Sequence, residues 1–146
     1  MKTLKKIEEA FTKAAKAKDK RSMIVIRAIK TDLTNAKKRG EEISEESVIQ
    51  CLKRQVKQRK ESISQYEKYG RNDLSKVEKE EVLVIESLLP KQMTEEEVAV
   101  LAEVCILESG AESMRDMGGV MKLAKEKSKG LADNTILSQL IKQKLS

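Results

Sequence analysis

The sequence predicts an all-α fold of about seven helices in two small helical domains, and three observations carry that reading. Apolar residues recur at three- and four-residue spacing along nearly the whole 146-residue chain. A single Pro and six Gly leave room for long helices. No stretch alternates apolar and polar residues long enough to make a strand. Hydrophobic residues are 39% and charged residues 37%, against roughly 45–50% and 25% in an average domain. That balance fits helices with a narrow apolar stripe under a broad solvated face. With only Phe11, Tyr66 and Tyr69 as aromatics, the core must be built from Ile, Leu, Val, Met and Ala.

Leu4, Ile7, Phe11, Ala14 and Ala15 mark a first helix. Val25, Ile26, Ile29, Leu33 and Ala36 mark a second, stopped by Lys37-Lys38-Arg39-Gly40. Ser44 caps a long third helix whose first turn holds Glu45 and Glu46. Its stripe is Val48, Leu52, Val56, Ile63 and Tyr66, and Gly70 ends it. Arg59 interrupts that stripe, its stem placed to lie along apolar surface while its guanidinium reaches a carboxylate or a partner. A fourth helix from about Leu74 to Leu88 is expected to bury Val77, Val84 and Leu88, with Val82, Ile85 and Leu89 alongside. Pro90 ends it by pushing Leu89 toward extended geometry. We place the domain boundary at Lys91, giving domains over residues 1–91 and 92–146. Thr94 and Glu97 form a capping box for a fifth helix that buries Val98, Leu101, Ala102 and Cys105 and stops at Gly110. Ser113 or Asp116 caps a sixth, stopped near Gly130. Asp133 caps a seventh, with Leu137, Leu140, Ile141 and Leu145 inward.

Composition narrows the function classes. The chain has no His and only Cys51 and Cys105, so no zinc site, other metal site or disulfide framework is expected. Both cysteines fall on or beside apolar stripes and read as structural, without the usual activating base. No Gly-rich phosphate loop follows a strand. No catalytic residue, cofactor or metal ligand is therefore assigned. No apolar run approaches a membrane span, and the expected compartment is the cytoplasm.

The net charge of +6 is unevenly spread. Residues 1–90 carry 22 basic against 15 acidic side chains, residues 91–112 one against six, and residues 113–146 seven against three. Basic regions of this kind suit a polyanionic partner. On the third helix Lys53, Lys57 and Lys60 form a ridge with Arg54 beside it, either a solvated face or a set of phosphate contacts. On the sixth, Lys122, Lys125 and Lys129 lie away from Met117, Met121 and Ala124. Gly118 and Gly119 stand near its start, where interior helical glycine costs about 1 kcal/mol each relative to Ala. Either a neighbouring helix or an RNA backbone must approach closely there, and first-turn amides could hold a phosphate.

These strings have a family likeness. Lys57-Gln58-Arg59-Lys60-Glu61-Ser62, Gly70-Arg71-Asn72-Asp73-Leu74 and Leu88-Leu89-Pro90-Lys91-Gln92-Met93 resemble successive motifs of the YqeY proteins. Gly110-Ala111, Asp116-Met117-Gly118, Val120-Met121 and Gly130 with Ala132-Asp133 complete the pattern across the chain. The family is similar to the helical C-terminal tail of GatB, a subunit of the amidotransferase that amidates Glu-tRNA or Asp-tRNA. The closest likeness runs from Gly118 through Lys122 to Lys127, Gly130 and Leu137. The resemblance implies a C-terminal three-helix domain of the GatB-tail kind and a heritage of tRNA binding, with Arg71 added to the candidate contacts. It also carries a family label of carbon–nitrogen ligase with glutamine as amido donor. The chemistry of that enzyme resides in a cradle domain and an amidase subunit, neither present here. The sequence departs from the family at Gly119 and Leu131, where cations are frequent, and at Asn134, where Gly is frequent.

The leading expectation is a module that binds tRNA or another structured RNA through Lys122, Lys125, Lys127, Lys129, Gly118 and Gly119, with Lys53, Arg54, Lys57, Lys60 and Arg71 in support. About five phosphates neutralised would give a log–log salt slope near −3.5 to −4.5. Lacking stacking platforms, such a module would read shape and backbone. The alternatives are an adaptor that docks a protein partner in translation and, behind it, an amidotransferase.

Overall fold

The computed structural model describes all 146 residues and is all-α, with seven helices and no strand. They are α1 (Lys2–Ala17), α2 (Lys20–Lys38), α3 (Glu45–Lys68), α4 (Asn72–Leu88), α5 (Glu95–Ser109), α6 (Met117–Ser128) and α7 (Asn134–Leu145), with one 3-10 turn at Met114–Asp116 before α6. No helix is long and apolar enough to cross a membrane. The chain divides into two compact units, Met1–Leu89 and Pro90–Ser146.

In the first unit, Ile7 of α1, Val25, Ile26 and Ile29 of α2, Val48 and Leu52 of α3 and Ile85 of α4 are all buried and share one core. Helix ends follow the sequence signals. Ser44 Oγ accepts from Ser47 N–H at 3.2 Å while Ser47 Oγ accepts from Ser44 N–H at 2.8 Å, closing both orphan amides at the start of α3. Gly70, at φ +72°, lets the chain leave α3 and enter α4 within a few residues. Glu45 does more than favour its own helix dipole. Its carboxylate accepts from Thr3 N–H at 3.2 and 3.1 Å and from the Thr3 hydroxyl, fixing the start of α1 to the start of α3. Burial pushes the Glu45 carboxyl up, but the hydrogen bonds from Thr3 outweigh it and hold the group below its ordinary value.

The fourth helix keeps its expected phase only in part: Leu88 is buried as expected and Val84 packs partly against the core, but Val77 turns outward. The inward residues are Ser75, Val82, Ile85 and Leu88. The reason is polar. Glu78 and Glu81 turn toward α3, where Arg59 interrupts the apolar stripe. Arg59 Nε lies 3.9 Å from Glu81 Oε2, both side chains 17% exposed. Arg59 also donates to Gln55 Oε1 at 3.0 Å, and Gln55 Nε2 donates to Asp32 Oδ2 of α2 at 2.7 Å. A half-buried chain of polar groups thus ties α2, α3 and α4 together. Burial pushes the Glu78 carboxyl up, Glu81 adds to that, and Arg59 opposes it.

In the second unit, Val98, Ala102 and Cys105 of α5 meet Val120 and Ala124 of α6 and Leu137, Ile141 and Leu145 of α7. Thr94 and Glu97 form the expected capping box, with both bonds at 3.1 Å. Asp133 Oδ1 accepts from Thr135 N–H and Ile136 N–H at 2.9 and 3.1 Å. Asp116 does not cap α6. Its carboxylate turns back to accept from Glu112 N–H at 3.0 Å and Ser113 N–H at 3.4 Å, holding the 3-10 turn instead. Met93 N–H donates to Leu131 O at 2.9 Å, so the backbone of Leu131 is used in pinning the start of this unit.

Candidate nucleic-acid interface

Helix α6 buries Val120, Ala124 and Ser128, with Met117, Met121 and Leu123 packed partly against the core. At 3.6 residues per turn the opposite face carries Gly118, Lys122 and Lys125 at i, i+4 and i+7, with Lys129 next in the row. Gly118, Gly119, Lys122 and Lys129 are exposed and Lys125 is half-buried. Glu126 is exposed within the same face, a single carboxylate among the three cations. Lys129 closes the helix in the left-handed region at φ +53°, where a side chain costs about 1–2 kcal/mol relative to glycine. Lys18 does the same after α1 at φ +57°, so the conformation alone marks no site.

The glycine pair sits in the open. A Cβ added at Gly118 or Gly119 would meet no heavy atom within 4 Å, and neither residue has a positive φ. Close helix packing, one of the two reasons for glycine here, does not occur.

The other candidates separate. Lys127 faces α5, where its Nζ lies 2.9 Å from Glu108 Oε2. The hydrogen bond to Glu108 and its charge raise the Lys127 pKa. It is an internal ion pair of the unit, not part of the α6 row. In the first unit, Lys57 is exposed and Lys53 half-buried, while Lys60 Nζ lies 3.7 Å from Glu86 Oε1. Arg71 is held by Asp73 at 3.3 Å; the hydrogen bond and charge of Asp73 raise the Arg71 pKa, and the bond from Arg71 lowers that of Asp73. Arg54 lines a cavity of about 360 Å³ together with Asp32, Glu41, Glu42 and Glu46. Four carboxylates around one guanidinium make poor surroundings for a phosphate. The ridge on α3 is therefore largely compensated, whereas the row on α6 is not.

Neither thiol is open to solvent: Cys51 and Cys105 are both buried. Burial pushes both up; at Cys51 Asp32 adds to the effect and Arg54 opposes it, and at Cys105 Lys127 opposes it while Glu108 adds to it. Both stay protonated at neutral pH. No group of three or more Cys, Asp or Glu is arranged to hold a metal ion.

Two features escaped the sequence reading. Arg115 is exposed in the 3-10 turn, three residues before Gly118. On α5, Val100, Val104 and Leu107 are exposed at 60, 38 and 81%.

No curated protein matches this chain. The family model described as Yqey-like protein matches residues 4–145. That span takes in both units and every motif on which the resemblance rested. The protein belongs to the YqeY family.

Proposed function

We propose that the Pro90–Ser146 unit binds the phosphate backbone of a folded RNA, tRNA foremost, through the exposed face of α6. The observation that carries this reading is the open glycine pair. A helix with alanine at both positions would be more stable, and nothing inside the protein requires a side chain to be absent there. A polyanion gains from that absence. Without Cβ atoms its backbone approaches the positive end of the helix dipole closely, and Lys122, Lys125 and Lys129 continue the favourable field along the same face. Phosphate contact of this kind positions a folded RNA without reading its bases. The reading assigns the chain no step of amide transfer.

The test sets two measurements against each other. The Gly118→Ala/Gly119→Ala variant should gain about 0.5–1 kcal/mol of stability per site. Its affinity for tRNA should fall by about fivefold, equivalent to roughly 1 kcal/mol. A gain in stability with unchanged affinity would show that the glycines serve no RNA contact. A protein partner is the second reading, and the exposed row of Val100, Val104 and Leu107 favours it.

A further inference from the structure

From Val98 to Leu107, helix α5 has the composition of a buried helix and the exposure of a surface one. Between Val98 and Leu107 its only polar residue is Glu103. A helix apolar all round is normally covered on every side. Here Val98, Ala102 and Cys105 face the core, while Val100, Val104 and Leu107 stand at i, i+4 and i+7 on the opposite side, Leu107 81% exposed. Scattered surface leucines and valines need no explanation. Three in register along one helix have the spacing at which a second helix can anchor.

The flanks of the row are acidic throughout. Glu96 and Glu103 border it on one side, Glu97 and Glu108 on the other, and α5 contains no cation. Glu103 and Glu108 each engage a lysine of the same unit, Lys144 at 2.8 Å and Lys127 at 2.9 Å, yet both keep half or more of their side-chain surface in solvent. A groove of about 420 Å³ between α5 and α7 continues the surface, with Ala99, Ile136 and Leu140 among its lining and Glu95 and Glu96 beside them. Two copies of α5 laid face to face would set these carboxylates against each other, which like-charge repulsion disfavours. An incoming helix with lysine or arginine beside its apolar stripe meets the opposite condition.

We propose that α5 is a docking site for a basic amphipathic helix of a partner protein, whose apolar stripe packs on Val100, Val104 and Leu107 between the glutamate rows. This inference rests on the second functional reading, that the chain docks a protein, and adds the chemistry of the occupant. It uses a different helix face from the RNA row, so the two are separable.

The test measures binding of two synthetic peptides to the full chain by fluorescence anisotropy. Both are amphipathic helices of about 20 residues with leucines at i, i+4 and i+7; one carries lysines beside the stripe and the other glutamates. The basic peptide should bind about tenfold or more tightly than the acidic one, and Val100→Ser/Leu107→Ser should weaken it about tenfold. Both residues are exposed, so the variant keeps its helical circular dichroism. Equal binding of the two peptides, each weakened by the variant, would overturn the basic occupant while leaving protein docking in place. Basic-peptide binding indifferent to the variant would overturn the docking site as a charge effect alone. Failure of both peptides would overturn the proposal in either of two ways. Self-association in sedimentation, lost in the variant, would make the occupant a second copy. A monomer that binds neither peptide would remove the second reading as well.

Discussion

Replacing Lys122, Lys125 and Lys129 together by alanine is expected to abolish most of the salt-dependent binding of tRNA. Each cation that neutralises a phosphate contributes about −0.9 to the log–log salt slope on duplex-like RNA, so three give about −2.7. Between about 50 and 200 mM salt the intact protein should then lose roughly 40-fold in affinity, and the triple variant should lose little. Single replacements should each lower the slope by about 1. The sequence alone suggests about five phosphates; the structure lowers this, because Lys127 is committed to Glu108 and Lys60 and Arg71 also have carboxylate neighbours. Lys127→Ala is therefore the matched control, removing a cation of the same helix with little change in slope. The three row lysines lie outside the core of the unit, so the variant should fold. Filter-binding titrations at four salt concentrations decide the matter.

The second large effect lies in the first unit. Arg59→Met should destabilise it by about 2–3 kcal/mol, somewhat less than the ~3–5 kcal/mol for breaking a fully buried pair, since Arg59 and Glu81 each keep 17% exposure. The variant leaves Glu78 and Glu81 facing α3 with no cation, and Gln55 without its donor. The pH dependence follows from Glu78. Its folded pKa is already raised, so its contribution to stability is complete below the ordinary glutamate value and is lost as the pH rises through the folded value. Without Arg59 the shift grows. The gap between parent and variant should be widest at neutral pH and narrow on acidification, which denaturant melts across the acid range will show. A gap independent of pH would assign the loss to packing alone.

That pair also shows what a sequence can and cannot say about this fold. Helix starts and stops were legible because they depend on neighbours in the chain: Ser44, Thr94 with Glu97, Asp133, Gly70 and Gly110 all act where their chemistry predicts. The interruption at Arg59 was legible too. Its partner was not, because α4 offers two apolar phases, Val77–Val84–Leu88 and Val82–Ile85–Leu89, and local periodicity cannot choose between them. The choice falls to a tertiary contact, the meeting of Arg59 with Glu81. The same limit hid the α5 row. A stretch as apolar as Val98–Leu107, with Glu103 alone interrupting it, gives no sign of which side is left uncovered.

The candidate interface divides along similar lines. Helical spacing placed Lys122, Lys125 and Lys129 on one face correctly, since all three lie opposite Val120 and Ala124. The wider set of candidates also held Lys127, Lys60 and Arg71, and only the fold shows that each of these has a carboxylate for a neighbour. For Gly118 and Gly119 the sequence posed a choice between a neighbouring helix and a polyanion. The empty space around both is what favours the second.

The most direct measurement is a titration of unlabelled tRNA into the isotopically labelled protein, following each backbone amide by NMR. Binding through α6 predicts that the perturbed amides cluster from Met117 to Lys129, with Gly118 and Gly119 among the largest shifts and those of Lys53, Arg54 and Lys57 little changed. Shifts centred on α3, or none along α6 at concentrations where tRNA is bound, would contradict the account.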